Sequence, residues 1–193
     1  MLPFAFHVTK GKLHEQNLSN APPKNLNKNS GSSLGENLGK KLAPGDKAPD
    51  FVLPDAAGAR ISLASFAGKK LVLYFYPKDD TSGCTKEAID FNGLRGEFKK
   101  AGAAILGVSP DPVASHARFK AKHKLEFALA SDESKAMLEA YGVWVEKSMY
   151  GRKYMGIERT TFVIGTDRQI AMVWNRVKVP GHAEAVLAAV KAL

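Results

Sequence analysis

The stretch LVLYFYPKDDTSGCTKEAIDF, residues 71–91, decides the fold of this 193-residue chain. Its first six residues form a continuous apolar run of strand length with aromatic enrichment, the pattern of a strand buried on both faces. Pro77 ends the run, because proline has no N–H to give to a sheet. Between Thr81 and Gly83 the period changes. Ala88, Phe91, Leu94 and Phe98 then recur at helical spacing, which gives a helix running to about Lys100 one apolar stripe. Gly102 follows as a C-terminal cap.

The same alternation continues on both sides. AAILGVS (103–109) is a second apolar strand, and PDP (110–112) opens a helix with Asp111 as N-cap and Pro112 at the first helical position. FALAS (127–131) is a third strand, after which Ser131 caps a helix through Tyr141 that Gly142 closes. TTFVIG (160–165) and QIAMVW (169–174) flank a turn at Thr166-Asp167 and read as a hairpin. The last helix, 181–193, buries Val186, Leu187 and Val190. Upstream, DFVLPDAAGARISL (50–63) gives two short strands around Ala57-Gly58. The order βαβαβα, then ββα, implies an α/β fold with a central mixed β-sheet flanked by helices on both faces. That is the layout of the thioredoxin-like fold, which carries no function by itself.

Residues 1–42 differ from the rest. They are rich in Asn, Ser, Gly, Pro and Lys and too poor in apolar side chains to offset ordering entropy, so they read as a flexible, disordered extension, with a globular domain over 43–193. A native segment, a targeting segment and a start placed too far upstream are all compatible with this composition. The opening MLPFAF has no basic segment before its apolar patch and is not read as a signal peptide. No run approaches the ~18 apolar residues of a membrane span. The formal charge is +9, of which the extension carries +4 (six Lys, two Glu) and the body +5. No zinc-finger spacing and no basic-aromatic stacking pattern accompany this charge, and KAKHK (120–124) reads as a solvated helix face, so neither nucleic acid nor membrane is expected as a partner. His116 and His123, seven apart, share a helix face but lack a third ligand, so they read as exposed and no metal site is expected.

The chain has one cysteine, Cys84. Paired cysteines mark an oxidising compartment, so a single one suits the cytoplasm. The ordinary reading of a lone intracellular cysteine is a buried, inert small hydrophobe. Its place argues otherwise. Cys84 falls at the handover from the central strand to the long helix, where unpaired backbone N–H groups and the helix dipole favour an anion. Helix N-termini and neighbouring cations lower cysteine pKa values from ~8.5 into the range ~3.5–7.5. Thr81, one turn earlier, can set its hydroxyl beside the sulfur to donate or accept, and Gly83 lets the backbone approach a reactant closely.

Pro77, Thr81 and Cys84 form the P-x-x-x-T-x-x-C pattern, and with FVLPDAAG, LVLYFYPKDDTSGCT and GVWVEKSMYGRKYMGIERTTFVI the chain from 43 to 193 resembles the peroxiredoxins, most of all the bacterioferritin-comigratory-protein or Q-type branch. The resemblance implies a thiol peroxidase that reduces hydrogen peroxide and alkyl hydroperoxides through a Cys84 sulfenic acid, without metal or organic cofactor, and a monomer. It also implies that Arg159, in GIERTTF, stabilises the thiolate and orients the peroxide. Thr81, Pro77 and the backbone N–H groups of Gly83 and Cys84 complete the implied site, Pro77 shielding the sulfur from solvent.

The sequence departs from this branch at one point. Many members carry a second, resolving cysteine five residues after the first; here that residue is Ile89, and the next helix has no cysteine either. The sulfenic acid must then be reduced by an external thiol, glutathione with glutaredoxin or thioredoxin. A thioredoxin-type reductase is excluded, because the positions three before and three after Cys84 are Thr81 and Glu87. A cysteine hydrolase lacks a histidine near the motif. The remaining alternative is a thioredoxin-fold binding or chaperone-like protein with little turnover. Trp144, Glu146 and Lys147 are assigned packing or loop roles, and Phe75 and Tyr76 to the core.

Overall fold

The computed structural model describes residues 41–193. The first 40 residues, and with them nearly all of the expected extension, lie outside the described part. A hairpin of β1 (Val52–Pro54) and β2 (Arg60–Ser62) opens the fold, with Leu53 opposite Ile61. Its turn is tied by the Asp55 carboxylate, which accepts from the Ala57 and Ala59 N–H groups at 2.8 and 2.9 Å, and Gly58 takes the left-handed φ of 81° that the turn needs. A 3-10 turn over Leu63–Phe66 leads into β3 (Lys70–Phe75). Then follow α1 (Ser82–Lys100), β4 (Ala103–Ser109), α2 (Val113–Lys122), β5 (Ala128–Ser131) and α3 (Ala136–Ala140). The chain continues through β6 (Trp144–Met149), β7 (Arg152–Ile157), β8 (Thr160–Ile164) and β9 (Ile170–Trp174) to α4 (His182–Ala192).

The central sheet has the order β5-β4-β3-β8-β9. β3, β4 and β5 run parallel, and β8 is antiparallel to both β3 and β9. The expected mixed, thioredoxin-like sheet is therefore present, with β3 at its centre. Alternation along β3 feeds two cores, since successive side chains point to opposite faces. Leu71, Leu73 and Phe75 join Met137, Leu138, Tyr141, Phe162 and Ile164 on one face. Val72, Tyr74 and Tyr76 join Phe91 and Phe98 of α1, Phe119 of α2, and Val186 and Val190 of α4 on the other. Each such buried aliphatic or aromatic side chain contributes roughly 1.5–3 kcal/mol. Gly107 on β4 has a steric reason: a Cβ there would come within 2.7 Å of the Tyr74 ring and 2.8 Å of Leu129.

Four local expectations differ. Leu42, assigned to the extension, is packed in the first core at 5% exposure, because an apolar side chain beside a hydrophobic cluster is drawn in whatever the composition around it. Asp111 does not cap α2. Pro112 stands at the cap position, and the Asp111 carboxylate instead accepts the Asp79 N–H at 2.6 Å. Ser131 caps no helix either; its hydroxyl donates to the Asp111 carbonyl at 2.6 Å, while Asp132 takes the Leu138 N–H at 2.9 Å and the helix begins only at Ala136. Trp144, Glu146 and Lys147, assigned packing or loop roles, lie on β6 of the antiparallel β6–β7 hairpin, Trp144 pairing with Ile157.

Candidate active site around Cys84

The site is assembled where β3 ends. The last sheet bond of this segment joins the Tyr76 N–H to the Val108 carbonyl at 3.1 Å, and Pro77 and Lys78 then emerge exposed. α1 starts at Ser82, and its first intrahelical bond runs from the Thr85 N–H to the Thr81 carbonyl at 2.8 Å. Helix geometry thus leaves the N–H groups of Ser82, Gly83 and Cys84 without intrahelical acceptors. Cys84, the third helical residue, carries a free thiol that is 1% exposed and packed among Tyr74, Tyr76, Ala88 and Phe91. Stacked rings floor this wall, with the Tyr74 centroid 5.5 Å from that of Tyr76 and 5.0 Å from that of Phe91.

Arg159 enters from the neighbouring strand. Because β8 runs antiparallel beside β3, with Thr160 opposite Phe75, the residue before β8 arrives where β3 hands over to the cysteine loop. Its backbone is pinned by the Val177 N–H, which donates to the Arg159 carbonyl at 3.0 Å. Arg159 Nη2 donates to Cys84 Sγ at 3.2 Å, a bond that an anionic sulfur accepts better than a thiol. A Cβ at Gly83 would lie 3.5 Å from the same nitrogen, an ordinary contact, so the guanidinium does not by itself demand glycine there.

The other arm of the guanidinium, Nη1, donates to Glu87 Oε2. Glu87 is 2% exposed. Burial pushes its carboxyl up to about 7, against the downward pull of the Arg159 charge, and Oε1 has no hydrogen-bond partner among the described residues. Sequence reading used Glu87 only to exclude a C-x-x-C motif. The overlooked signal is its spacing: three residues after Cys84 and beside Ala88, it is an acid set within the apolar stripe.

Thr81 and Pro77 lie in the segment between β3 and α1. The Thr81 hydroxyl donates to the Lys78 carbonyl at 3.0 Å, so its one proton is committed within the loop and only its lone pairs remain for another partner. Pro77 is exposed, whereas the sulfur's own cover comes from its packing in the second core. His116 corrects an expectation outright. It is 0% exposed, not on a solvated face, with Nδ1 on Asp79 Oδ2 at 2.9 Å. His123 Nε2 meets Asp80 Oδ1 at 2.9 Å. Sequence proximity could not show these pairs, since 37 and 43 positions separate the partners. His182 is a further buried group near the site, sharing a 2.8 Å hydrogen bond with Thr161 Oγ1.

A sulfur at a helix start, a guanidinium on it and free N–H donors beside it form an arrangement for nucleophilic attack with anion stabilisation. Residues 44–173 match the model of the AhpC/TSA family. The chain is 52% identical over 143 residues to peroxiredoxin Bcp of Xanthomonas campestris, covering 74% of this chain and 89% of that protein. It is 50% identical over 143 residues to a putative peroxiredoxin bcp of Coxiella burnetii, covering 74% and 95%. A solved structure of X. campestris peroxiredoxin Q superposes with a TM-score of 0.73 at 49% identity, over 79% of this chain and 96% of that one. A structure of the X. campestris bacterioferritin comigratory protein, described for its alkyl peroxide reduction activity, superposes equally well, with a TM-score of 0.73 at 48% identity over the same shares.

Proposed function

The chain belongs to the AhpC/TSA family, the peroxiredoxins, and from that premise we propose that Cys84 is the peroxide-attacking nucleophile of a one-cysteine thiol peroxidase. The observation that carries the assignment is the 3.2 Å bond from Arg159 Nη2 to the lone cysteine sulfur at a helix start. The Cys84 thiolate attacks the outer oxygen of the hydroperoxide. The O–O bond breaks, and its electron pair leaves on the other oxygen, which takes a proton and departs as water or alcohol. The sulfur, oxidised by two electrons, becomes a sulfenic acid. Arg159 and the N–H groups of Gly83 and Cys84 hold the two oxygens and stabilise charge on the leaving one. The Thr81 oxygen faces the same loop as an acceptor, and Pro77 shapes the entrance.

With Ile89 at the usual second-cysteine position, an external thiol attacks the sulfenic sulfur, releasing water and forming a mixed disulfide. A second thiol then frees Cys84 and leaves as the disulfide, so each turnover consumes one hydroperoxide and two thiols. Glutathione with glutaredoxin, or thioredoxin, supplies them. The X. campestris relative's alkyl peroxide reduction supports alkyl hydroperoxides beside hydrogen peroxide as the substrate class. We assign the protein to the cytoplasm on its single cysteine, as a monomer that contributes to cell redox homeostasis. Among the described residues no helix is long and apolar enough to cross a membrane.

The test is single-turnover peroxide consumption with dimedone trapping of the sulfenic acid, followed by turnover assays run separately with glutathione/glutaredoxin and with thioredoxin. Equimolar consumption and one trapped adduct are expected, and both are lost in Cys84→Ser. Unchanged consumption in that variant would overturn the assignment.

A further inference from the structure

Between Tyr76 and Cys84 the chain has one buried side chain, and it is an acid, Asp79. Tyr76 OH donates to Asp79 Oδ1 at 2.8 Å, while Ser115 Oγ and His116 Nδ1 meet Oδ2 at 2.8 and 2.9 Å. The Asp79 N–H donates to Asp111 Oδ2 at 2.6 Å. Asp111 is itself fixed, its N–H donating to Ser109 Oγ at 3.1 Å and its carbonyl accepting from Ser131 Oγ at 2.6 Å. One loop residue is therefore bonded to the end of β3, to the segment before α2 and to the first turn of α2. That turn's dipole also favours a carboxylate. Burial alone would raise the Asp79 carboxyl, but the bonds from His116, Ser115 and Tyr76 outweigh it and hold the group below its ordinary range.

His116 is committed to this task. A carboxylate is acceptor-only, so the Nδ1 facing it carries the proton. Nε2 is buried without a hydrogen-bond partner among the described residues, so Nδ1 makes the ring's contact with the acid. Asp80, next in the chain, makes an outer tether to the far end of α2 through His123 Nε2 and Lys122 Nζ, both at 2.9 Å. That tether is partly solvated and weak.

No step of the peroxidase chemistry uses the buried knot, yet the loop has no apolar anchor of its own. Whether the first turn of α1 presents Cys84 to Arg159 depends on how these residues are held. We propose that Asp79 and His116 are positioning residues, a clamp that fixes the cysteine loop so that Arg159 meets the sulfur and the turn stays closed while the sulfenic acid awaits an external thiol. This rests on Cys84 being the reacting sulfur.

Two rates on the full-length protein test it, measured well below the unfolding temperature and at a pH where the thiolate is fully formed: single-turnover reaction with hydrogen peroxide, and alkylation by iodoacetamide. Peroxide needs the organised donors, whereas the alkylating reagent needs only access. In His116→Leu the peroxide rate should fall about tenfold while alkylation rises severalfold. His116→Asn, which returns an N–H near the Nδ1 position, should restore both. Ser115→Ala, a milder loss of one donor, should shift both rates the same way by a smaller factor and serves if His116→Leu does not fold. His123→Ala should leave both unchanged. Unchanged rates in His116→Leu and Ser115→Ala would overturn the clamp, as would a fall in both rates or a failure of His116→Asn to rescue. A parent protein that consumes no peroxide would defeat the peroxidase reading instead, and the alkylation rates would still test the clamp.

Discussion

Arg159 Nη2 lies 3.2 Å from Cys84 Sγ although 75 positions separate the two residues in the chain. The pairing of β8 with β3 closes that gap, since Thr160 stands opposite Phe75. The same guanidinium also bonds Glu87, so one largely buried cation serves two acids three residues apart on α1. A planar fork can do this; a point charge on a flexible stem cannot.

Arg159→Lys should therefore fail despite keeping the charge. An ammonium can face the sulfur or the Glu87 carboxylate but not hold both in one plane. The second-order rate with hydrogen peroxide is expected to fall about 10²-fold in Arg159→Lys, and by up to about 10³-fold in Arg159→Met, the range for losing a preorganised donor. Single-turnover stopped-flow measurement decides the matter, and a Lys variant within twofold of the parent would show that charge alone suffices.

Glu87 makes stability depend on pH. Its carboxyl moves from 4.5 to about 7 in the fold, so between these values the folded protein keeps a proton that the unfolded chain has lost. The contribution is complete below pH 4.5 and is lost as pH rises through about 7. Glu87→Gln removes this dependence. Relative to the parent, the variant's unfolding free energy should gain on the order of 2–3 kcal/mol between pH 4.5 and pH 8. Urea unfolding at stepped pH measures the gap, and a gap constant with pH would show that Glu87 titrates as it does in the unfolded chain.

The elements readable from sequence were those whose burial is periodic. The run at 71–76 and the stripe of Ala88, Phe91 and Phe98 are fully buried, and apolar spacing reports burial directly. The β6–β7 hairpin escaped because only its base is buried, at Ile157, while Met149, Tyr150, Tyr154 and Met155 towards its tip are all exposed. Its two-residue turn also puts Tyr150 and Gly151 at positive φ, 51° and 76°, with tyrosine where asparagine or aspartate is the usual signal. In the site, Cys84 could be singled out from its place at a helix start, and Arg159 only through the family resemblance of the segment around it. Glu87, Asp79 and His116 could not, because a polar residue's role is set by which partner the fold brings to it. Asp111 shows the same limit in reverse: local spacing offered it a helix cap, and the distant Asp79 N–H took its carboxylate.

His182 should govern part of the acid limb. Burial first, and then the Arg159 charge, hold its imidazole down to about 4, with Glu184 opposing. The folded ring is thus neutral where the unfolded one, near 6.5, binds a proton. The contribution is present above pH 6.5 and is lost as pH falls through about 4. His182→Gln, which keeps a polar group facing Thr161, should lose less thermal stability than the parent between pH 6.5 and pH 4. Melting temperatures at stepped pH compare the two, and parallel curves would rule out His182 as an acid-sensitive group.

Ile89 offers a test of how firmly the start of α1 is held. Residues five apart in a helix lie about 8.6 Å from each other and are turned about 140° apart, beyond the ~7 Å that a disulfide spans. The structure agrees, with Cys84 1% exposed and Ile89 48% exposed. Ile89→Cys therefore supplies a second thiol that cannot reach the first until the opening turns of α1 unwind. After one equivalent of peroxide, the sulfenic acid should form at the parent's rate and convert to an intramolecular disulfide in a slower step, followed by loss of dimedone reactivity. Adding His116→Leu should accelerate that slower step, because it releases the loop through which the helix start is tied to α2. Disulfide formation as fast as peroxide consumption in Ile89→Cys alone would show that the turn opens freely, and that one-cysteine chemistry here follows from the missing thiol and owes nothing to the clamp.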